Sequence, residues 1–176
     1  MTTNLLLVPV SGKYEQAIFS SFTEEVAKYM IARVPCCIEE TFLFIETSLG
    51  ELSTGNALPM VILEKETEIF LGCAGLYQIQ DPYPELGIWL KVDAQGKGYG
   101  FQVVEALVRW AEKHLNFRAL LYPVDERNAA SRRIPDKLGA TVAKKYPIAD
   151  EKGNILNVLE YRIVNRRLDK EKVMVG

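Results

Sequence analysis

Apolar positions change their spacing along the chain, and the changes divide it into elements. Leu5 to Val10 is a short apolar run ending at Ser11-Gly12, which predicts a first strand. Tyr14, Ile18, Phe22 and Val26 recur at helical spacing, so a helix is expected from Lys13 to about Met30, broken near Thr23. After Pro35, the positions Ile38, Phe42, Ile45 and Leu49 predict a second amphipathic helix, stopped by Gly50. Ser53-Thr54-Gly55-Asn56 reads as loop.

Strands then follow one another. Met60 to Leu63, Ile69 to Ile79 and Glu85 to Val92 are separated by the polar turn at 64–68 and by the breaker Asp81-Pro82-Tyr83-Pro84. Such short connections suit antiparallel neighbours, because a parallel pair needs a crossover of a dozen residues or more. The spacing returns to helical after Val92: Val104, Leu107, Val108, Ala111 and Leu115 mark a helix from about Gly98 to Leu115. That helix leads into a strand from Ala119 to Val124, completing a βαβ crossover, and another helix follows from Asn128 to Leu138. The last third reads as a hairpin, Thr141 to Tyr146 and Leu156 to Val164, followed by a charged tail over 165–176. The expected fold is mixed α/β with one sheet: an antiparallel N-terminal meander, a βαβ crossover and a C-terminal hairpin.

Composition narrows the class. At 176 residues and roughly 150 residues per domain, one domain is expected, with its core over about 5–164. Lys and Arg total 21 against 23 Asp and Glu, a net charge of −2, so a polynucleotide is disfavoured as the main partner. No stretch approaches the roughly 20 apolar residues of a membrane helix, and no basic leader precedes an apolar run, which makes the expected location cytoplasmic. Cys36, Cys37 and Cys73 are odd in number and lack Cys-x-x-Cys spacing; they read as reduced thiols in or near the core. The single histidine, His114, sits mid-helix four residues from Trp110, where surface packing is the plainer reading. Neither a metal site nor a catalytic triad is expected. Nothing in the sequence decides the oligomeric state.

The glycines carry the first chemical signal. Gly96, Gly98 and Gly100 stand in Gln95-Gly96-Lys97-Gly98-Tyr99-Gly100, between a strand and the start of a helix. Backbone N–H groups there can face one anion at the positive end of the helix, and side chains would block its approach. A Walker loop is absent. A dinucleotide fingerprint would require glycine where Phe101 or Val103 stands, and a βαβ opening rather than a meander.

Gln95-x-x-Gly98-x-Gly100 resembles the acyl-CoA loop of the GNAT superfamily of N-acetyltransferases. Glu85 to Leu90 is similar to that family's fourth strand, and Asn128-Ala129-Ala130-Ser131 with Lys137-Leu138-Gly139 to its Asn-x-x-Ser…Lys-x-Gly segment. The likeness covers most of the chain and is nearest to the branch of ribosomal-protein N-terminal acetyltransferases. It implies acetyl-CoA as co-substrate, with the pyrophosphate on the amides of Gln95, Gly96, Lys97, Gly98, Tyr99 and Gly100. It also implies the pantetheine arm along the strand end at Leu90, Lys91 and Val92. Lys97 either adds charge or is a solvated loop lysine. Asn128 and Ser131 either touch the cofactor or, for Asn128, cap a helix.

The family reaction is direct attack of a primary amine on the thioester. At pH 7 an alkyl amine costs roughly 4.6 kcal/mol to deprotonate and an α-amine only about 1, so the need for a base depends on the acceptor. Glu85 is the candidate base, directly or through water; it also reads as a strand-entry carboxylate in solvent. With Gly87 and Trp89 it shares the strand face opposite Leu86, Ile88 and Leu90, expected to be the polar wall of a cleft. A tyrosine acid common in the family would fall at Pro135, which also should kink its helix. The resemblance to the ribosomal-protein branch, where a serine stabilises the departing thiolate, implies Ser131 as the candidate for that role, with Tyr122 and Tyr161 as lesser ones. Arg132 and Arg133 read equally as phosphate contacts or solvated arginines. The expected function is N-acetylation of a protein N-terminus or a small amine; the alternative of another class is a non-catalytic acyl-CoA-binding or interaction module. A nucleotide-binding oxidoreductase is disfavoured by the fingerprint mismatch.

Overall fold

The computed structural model describes residues 4–167, so from residue 168 onward the expected charged tail lies outside the described residues. Seven strands form a single sheet: β1 (Leu5–Pro9), β2 (Ala57–Glu64), β3 (Phe70–Tyr77), β4 (Glu85–Leu90), β5 (Ala119–Asp125), β6 (Thr141–Ala149) and β7 (Ile155–Val164). Their order across the sheet is β1-β2-β3-β4-β5-β7-β6, with every pair antiparallel except β4–β5. The mixed α/β class with meander, crossover and hairpin is the observed one.

Five helices, α1 (Glu15–Ser21), α2 (Glu24–Ala27), α3 (Ile38–Ser53), α4 (Tyr99–His114) and α5 (Ala129–Lys137), cover the sheet. The amphipathic α4 buries Val103, Val104, Leu107, Val108 and Ala111 against Leu86, Leu120 and Ile163. Full burial of each valine or leucine contributes roughly 1.5–3 kcal/mol, which fixes α4 across β3 and β4. The opposite face carries a smaller core in which Ile18 of α1 and Ile45 of α3 meet Val61, Leu63 and Phe70. β3, buried along nearly its whole length, lies between the two layers, as its continuous apolar run implies.

Several boundaries differ from the sequence reading: β2 begins at Ala57 rather than Met60, β3 covers Phe70–Tyr77 rather than Ile69–Ile79, and β6 runs on to Ala149 rather than Tyr146. The first helix is broken near Thr23 as expected, with Thr23 capping α2 by accepting from the Val26 amide at 3.5 Å, but it starts as a 3-10 turn over Gly12–Tyr14 and α2 ends at Ala27 rather than Met30. Gly50 does not stop α3. It sits on an open side of the helix, and the helix runs on to Ser53 before Gly55, at φ +67°, turns the chain. β4 ends at Leu90 rather than Val92, because Val92–Ala94 winds into a 3-10 turn. Pro135 is accommodated near the end of α5, buried, with the helix continuing to Lys137; it removes only the amide that would have met the Ser131 carbonyl. Trp110 and His114 stack at 4.8 Å on the surface of α4, and His114 Nδ1–H donates to the Trp110 carbonyl at 2.8 Å. Among the described residues, no helix is long and apolar enough to cross a membrane.

One ion pair, its carboxylate buried and its guanidinium half exposed, secures the end of β5. The Asp125 carboxylate, 2% exposed, accepts from Arg127 N–H at 3.0 Å, Arg127 Nε at 2.7 Å, Arg127 Nη2 at 2.9 Å and Asn157 N–H at 3.0 Å. These donors hold its pKa below the ordinary aspartate value. Asp125→Ala is expected to lower stability in denaturant unfolding, mainly because it leaves the Arg127 and Asn157 main-chain N–H groups without their acceptor. Because the native pKa is depressed, the contribution is complete above the unfolded value of 3.8 and disappears as pH falls through the native one. The pH dependence of unfolding for the two proteins checks this: their difference should close in acid.

Candidate active site

β4 and β5 touch at one register pair, Glu85 with Leu121, supported by Leu121 N–H to the Pro84 carbonyl at 2.8 Å. Beyond that pair the two strands part. The Lys91 amide donates to Leu71 of β3 at 2.8 Å, so by alternation the main-chain groups of Ile88 and Leu90 point away from β3, into the opening. Of Leu90, Lys91 and Val92, the Lys91 amide is already bonded within the sheet, while Leu90 faces the gap.

The glycine loop stands at the mouth of this opening, directly after β4. Gly96 and Gly98 adopt φ of +73° and +79°, the left-handed region in which a side chain is strained, and Gly98 forms the N-cap of α4. The amides of residues 96–98 donate to no other described group of the protein. Those of 99–101 precede the first bond of α4, which runs from Gln102 N–H to the Gly98 carbonyl at 3.3 Å. Gln95 Nε2 donates to the Leu90 carbonyl at 3.0 Å and so ties the loop to the strand end. At Gly100 the fit is tight rather than strained: a Cβ there would stand 3.0 Å from the Ile134 Cδ1, where α4 meets α5. Lys97 is exposed at the loop and makes no ion pair with a described residue.

α5 begins at the matching end of β5. Asn128 caps it, its Oδ1 accepting from the Ser131 amide at 3.1 Å, so the capping reading of Asn128 describes its carbonyl. Ser131 Oγ lies 2.8 Å from the Tyr122 hydroxyl, an association that spacing alone did not link. Burial pushes the Tyr122 phenol up to about 12. Arg132 is occupied by the Glu126 carbonyl at 3.0 Å and the Tyr161 hydroxyl at 3.5 Å, whereas Arg133 is exposed. Tyr122 belongs to the α4 side of the sheet; Glu85 lies on the other side, so the opening separates them.

The Glu85 face is not the polar wall that strand alternation suggests. Trp89 packs edge-on against Phe22 at 5.0 Å and tilted against Phe70 at 5.8 Å. A cavity of about 590 Å³ opens beside it, floored by Tyr77, Gly87 and Trp89 and walled by Ile18, Phe22, Met30, Leu43 and Phe44. A Cβ at Gly75 or Gly87 would stand 3.0 Å from the Tyr77 ring, so the facing glycine pair makes room for that tyrosine. Burial pushes the Tyr77 phenol up to about 12. Cys73 lines the cavity floor, buried, and burial raises its thiol. Cys36, expected near the core, is exposed, with Sγ 3.4 Å from Glu40 Oε1.

Glu85 is partly buried, and its pKa is raised by that burial and then by the charge of Glu160. Sequence reasoning passed over Glu160. It is 6% exposed, and Oε1 is buried without a hydrogen bond. The available signal was a carboxylate inside the apolar run Val158-Leu159-Glu160-Tyr161. Among the described residues, no group of His, Cys, Asp or Glu could hold a metal ion.

A family model described as an acetyltransferase (GNAT) domain matches residues 4–141. Comparison with curated proteins finds no match. Among solved structures, the spermidine N-acetyltransferase of Vibrio cholerae, bound to CoA and spermine, superposes with a TM-score of 0.79 at 14% identity, covering 93% of this chain and 96% of that one. The ribosomal-protein-S5-alanine acetyltransferase of Vibrio fischeri gives 0.81 at 15% identity over 94% and 96%. An acetyl transferase of Salmonella typhimurium, which modifies the N-terminal serine of 50S ribosomal subunit protein L7/L12, gives 0.80 at 17% identity over 92% and 95%. At these identities the likeness is one of fold.

Since Gly98 holds its left-handed turn without steric contacts, Gly98→Ala is expected to lower stability by about 1 kcal/mol, through backbone strain alone. Denaturant unfolding measures this, and Gly12→Ala, which has open space and no positive φ, is the control.

Proposed function

The chain belongs to the GNAT acetyltransferase family and is an N-acetyltransferase, and from that premise we propose how its own residues perform the transfer. The proposed unit is one domain with its core over about 5–164. Acetyl-CoA supplies the activated acetyl thioester. The free amides of residues 96–101 fit its pyrophosphate, an anion at a helix N-terminus, with Lys97 adding charge. The main-chain edge of Ile88 and Leu90 fits the amide-bearing pantetheine arm, which would take the place of the missing strand. The Leu90 N–H is the proposed donor to the developing oxyanion. The Asn128 side-chain amide, free of described partners, is the proposed further donor to that arm. The observation that carries this reading is the coincidence of two main-chain arrays, the edge of β4 at Ile88 and Leu90, where only the Leu90 carbonyl is taken, by Gln95, and the amides at the start of α4, at the carboxyl ends of the two parallel strands.

The acceptor amine approaches from the Glu85 face. Its nitrogen attacks the carbonyl carbon, the C–S bond breaks as the amide bond forms, the ammonium proton passes to Glu85 and then to water, and the sulfur is protonated. Ser131, hydrogen-bonded to Tyr122, is the proposed hydrogen-bond donor that stabilises the departing thiolate on the other face, and the thiolate takes its proton from water. Nucleophile and leaving group thus use opposite sides of the sheet.

Glu85→Gln is expected to lower kcat by roughly 100-fold with acetyl-CoA affinity little changed. A base must be ionised, and the Glu85 pKa is raised, so the wild-type rate should fall in acid with a midpoint above the ordinary glutamate value of 4.5. That limb should vanish in Glu85→Gln; an unchanged pH–rate profile removes Glu85 from the role. Ser131→Ala turnover at saturating acetyl-CoA is expected to fall by roughly 10-fold or more, and a wild-type rate would exclude it as the donor.

A further inference from the structure

Two kinds of surface adjoin on the Glu85 face. One is the apolar cavity over Tyr77, Gly87 and Trp89. Its mouth is edged by Leu43 and Phe44, exposed by 62% and 41%. Two carboxylates reach this cavity, and Arg33 holds both: Glu40 Oε2 at 2.8 Å from Nη1, and Glu151 Oε2 at 3.1 Å from Nε. The other surface is polar. Strand register places Glu160 opposite Pro123 and Glu85 beside Leu121, so both glutamates project from the same sheet face as Gly87 and Trp89. Lys144 Nζ is 4.0 Å from Glu160 but 62% exposed, and it leaves the buried Oε1 without a hydrogen bond. The two carboxylates that line the cavity are thus held by Arg33, while Glu85 and Glu160 lie outside its lining on the same sheet face, Glu85 paired in register with Tyr77 of its floor.

We infer that the acceptor is a small primary amine carrying one bulky apolar body, its ammonium held between Glu85 and Glu160 and its body seated in the cavity over Trp89. This rests on the acetyl-transfer reading. A polyamine needs acceptors along its chain, and Arg33 occupies the two it would meet. A serine or alanine side chain would leave most of the cavity unfilled. A folded polypeptide is obstructed by the turn after β6: Lys152 pairs with Glu24 at 2.6 Å and Glu151 with Arg33 at 3.1 Å, strapping that turn to the α2 side of the cavity. Glu160 acts as a positioning residue. Its charge attracts the ammonium and raises the Glu85 pKa, in surroundings that also include Tyr77, Tyr146, Lys144 and Arg162.

Thiol release from saturating acetyl-CoA tests the inference with tryptamine and 2-phenylethylamine against spermidine, a Ser-initiated peptide and a Phe-initiated peptide. The aryl amines are expected to exceed the others by about 100-fold in kcat/KM. Preference for spermidine or for either peptide overturns it. Calorimetry with acetyl-CoA separates the two levels. Binding without aryl-amine turnover overturns this inference alone, and absence of binding overturns the acetyl-transfer reading beneath it. Leu43→Asp, at an exposed position that folding does not need, should raise the amine KM by roughly 10-fold at constant kcat; an unchanged KM counts against the seat. Glu160→Gln should raise the amine KM and move the acid limb of the pH–rate profile to lower pH. Glu160→Asp should restore part of both, and a limb that stays in place in Glu160→Gln removes Glu160 from the role.

Discussion

The separation of β4 from β5 after the single pair Glu85–Leu121 governs the rest of the molecule. Main-chain N–H and C=O groups inside a sheet are nearly always paired, and at Ile88 and Leu90 the neighbouring strand that would pair them has moved away. The opening is held from both sides. α4 is clamped to β4 by its buried valines and leucines, and the β5 end is clamped by the Asp125–Arg127–Asn157 network. The edge of β4 is thus kept available instead of being closed by sheet relaxation, and a thioester whose arm carries amides suits it.

Both ends of the gap are finished by short-range chemistry. The left-handed residues Gly96 and Gly98 turn the chain so that α4 starts beside the strand end, and Gln95 fastens that turn to the Leu90 carbonyl. On the other strand Asn128 starts α5 and presents Ser131 to Tyr122. Glu85 and the Tyr122–Ser131 pair lie on opposite faces, which allows an incoming amine and a departing thiol to avoid one path.

Much of this was legible in the sequence because it depends on local rules. Glycines at a strand–helix junction announced the turn, and α4 followed from its apolar spacing. Short connections announced the antiparallel meander. What stayed hidden depends on contacts between distant segments. Alternation correctly grouped Glu85, Gly87 and Trp89, but it could not reveal that Phe22, Phe70 and α3 would turn that face into an apolar cavity. Glu160 became relevant only when β7 paired with β5 and brought it to the Glu85 face. Gly50 looked like a stop because propensity is local, whereas burial of Ile45 and Ser48 holds α3 through it.

Amide hydrogen exchange with and without acetyl-CoA tests the central claim most directly, because it reads the two main-chain arrays themselves. The account predicts slowed exchange concentrated at Ile88, Leu90 and residues 96–101, with the β6–β7 hairpin little affected. Acetyl-CoA binding that leaves those amides exchanging at their unliganded rate would contradict it.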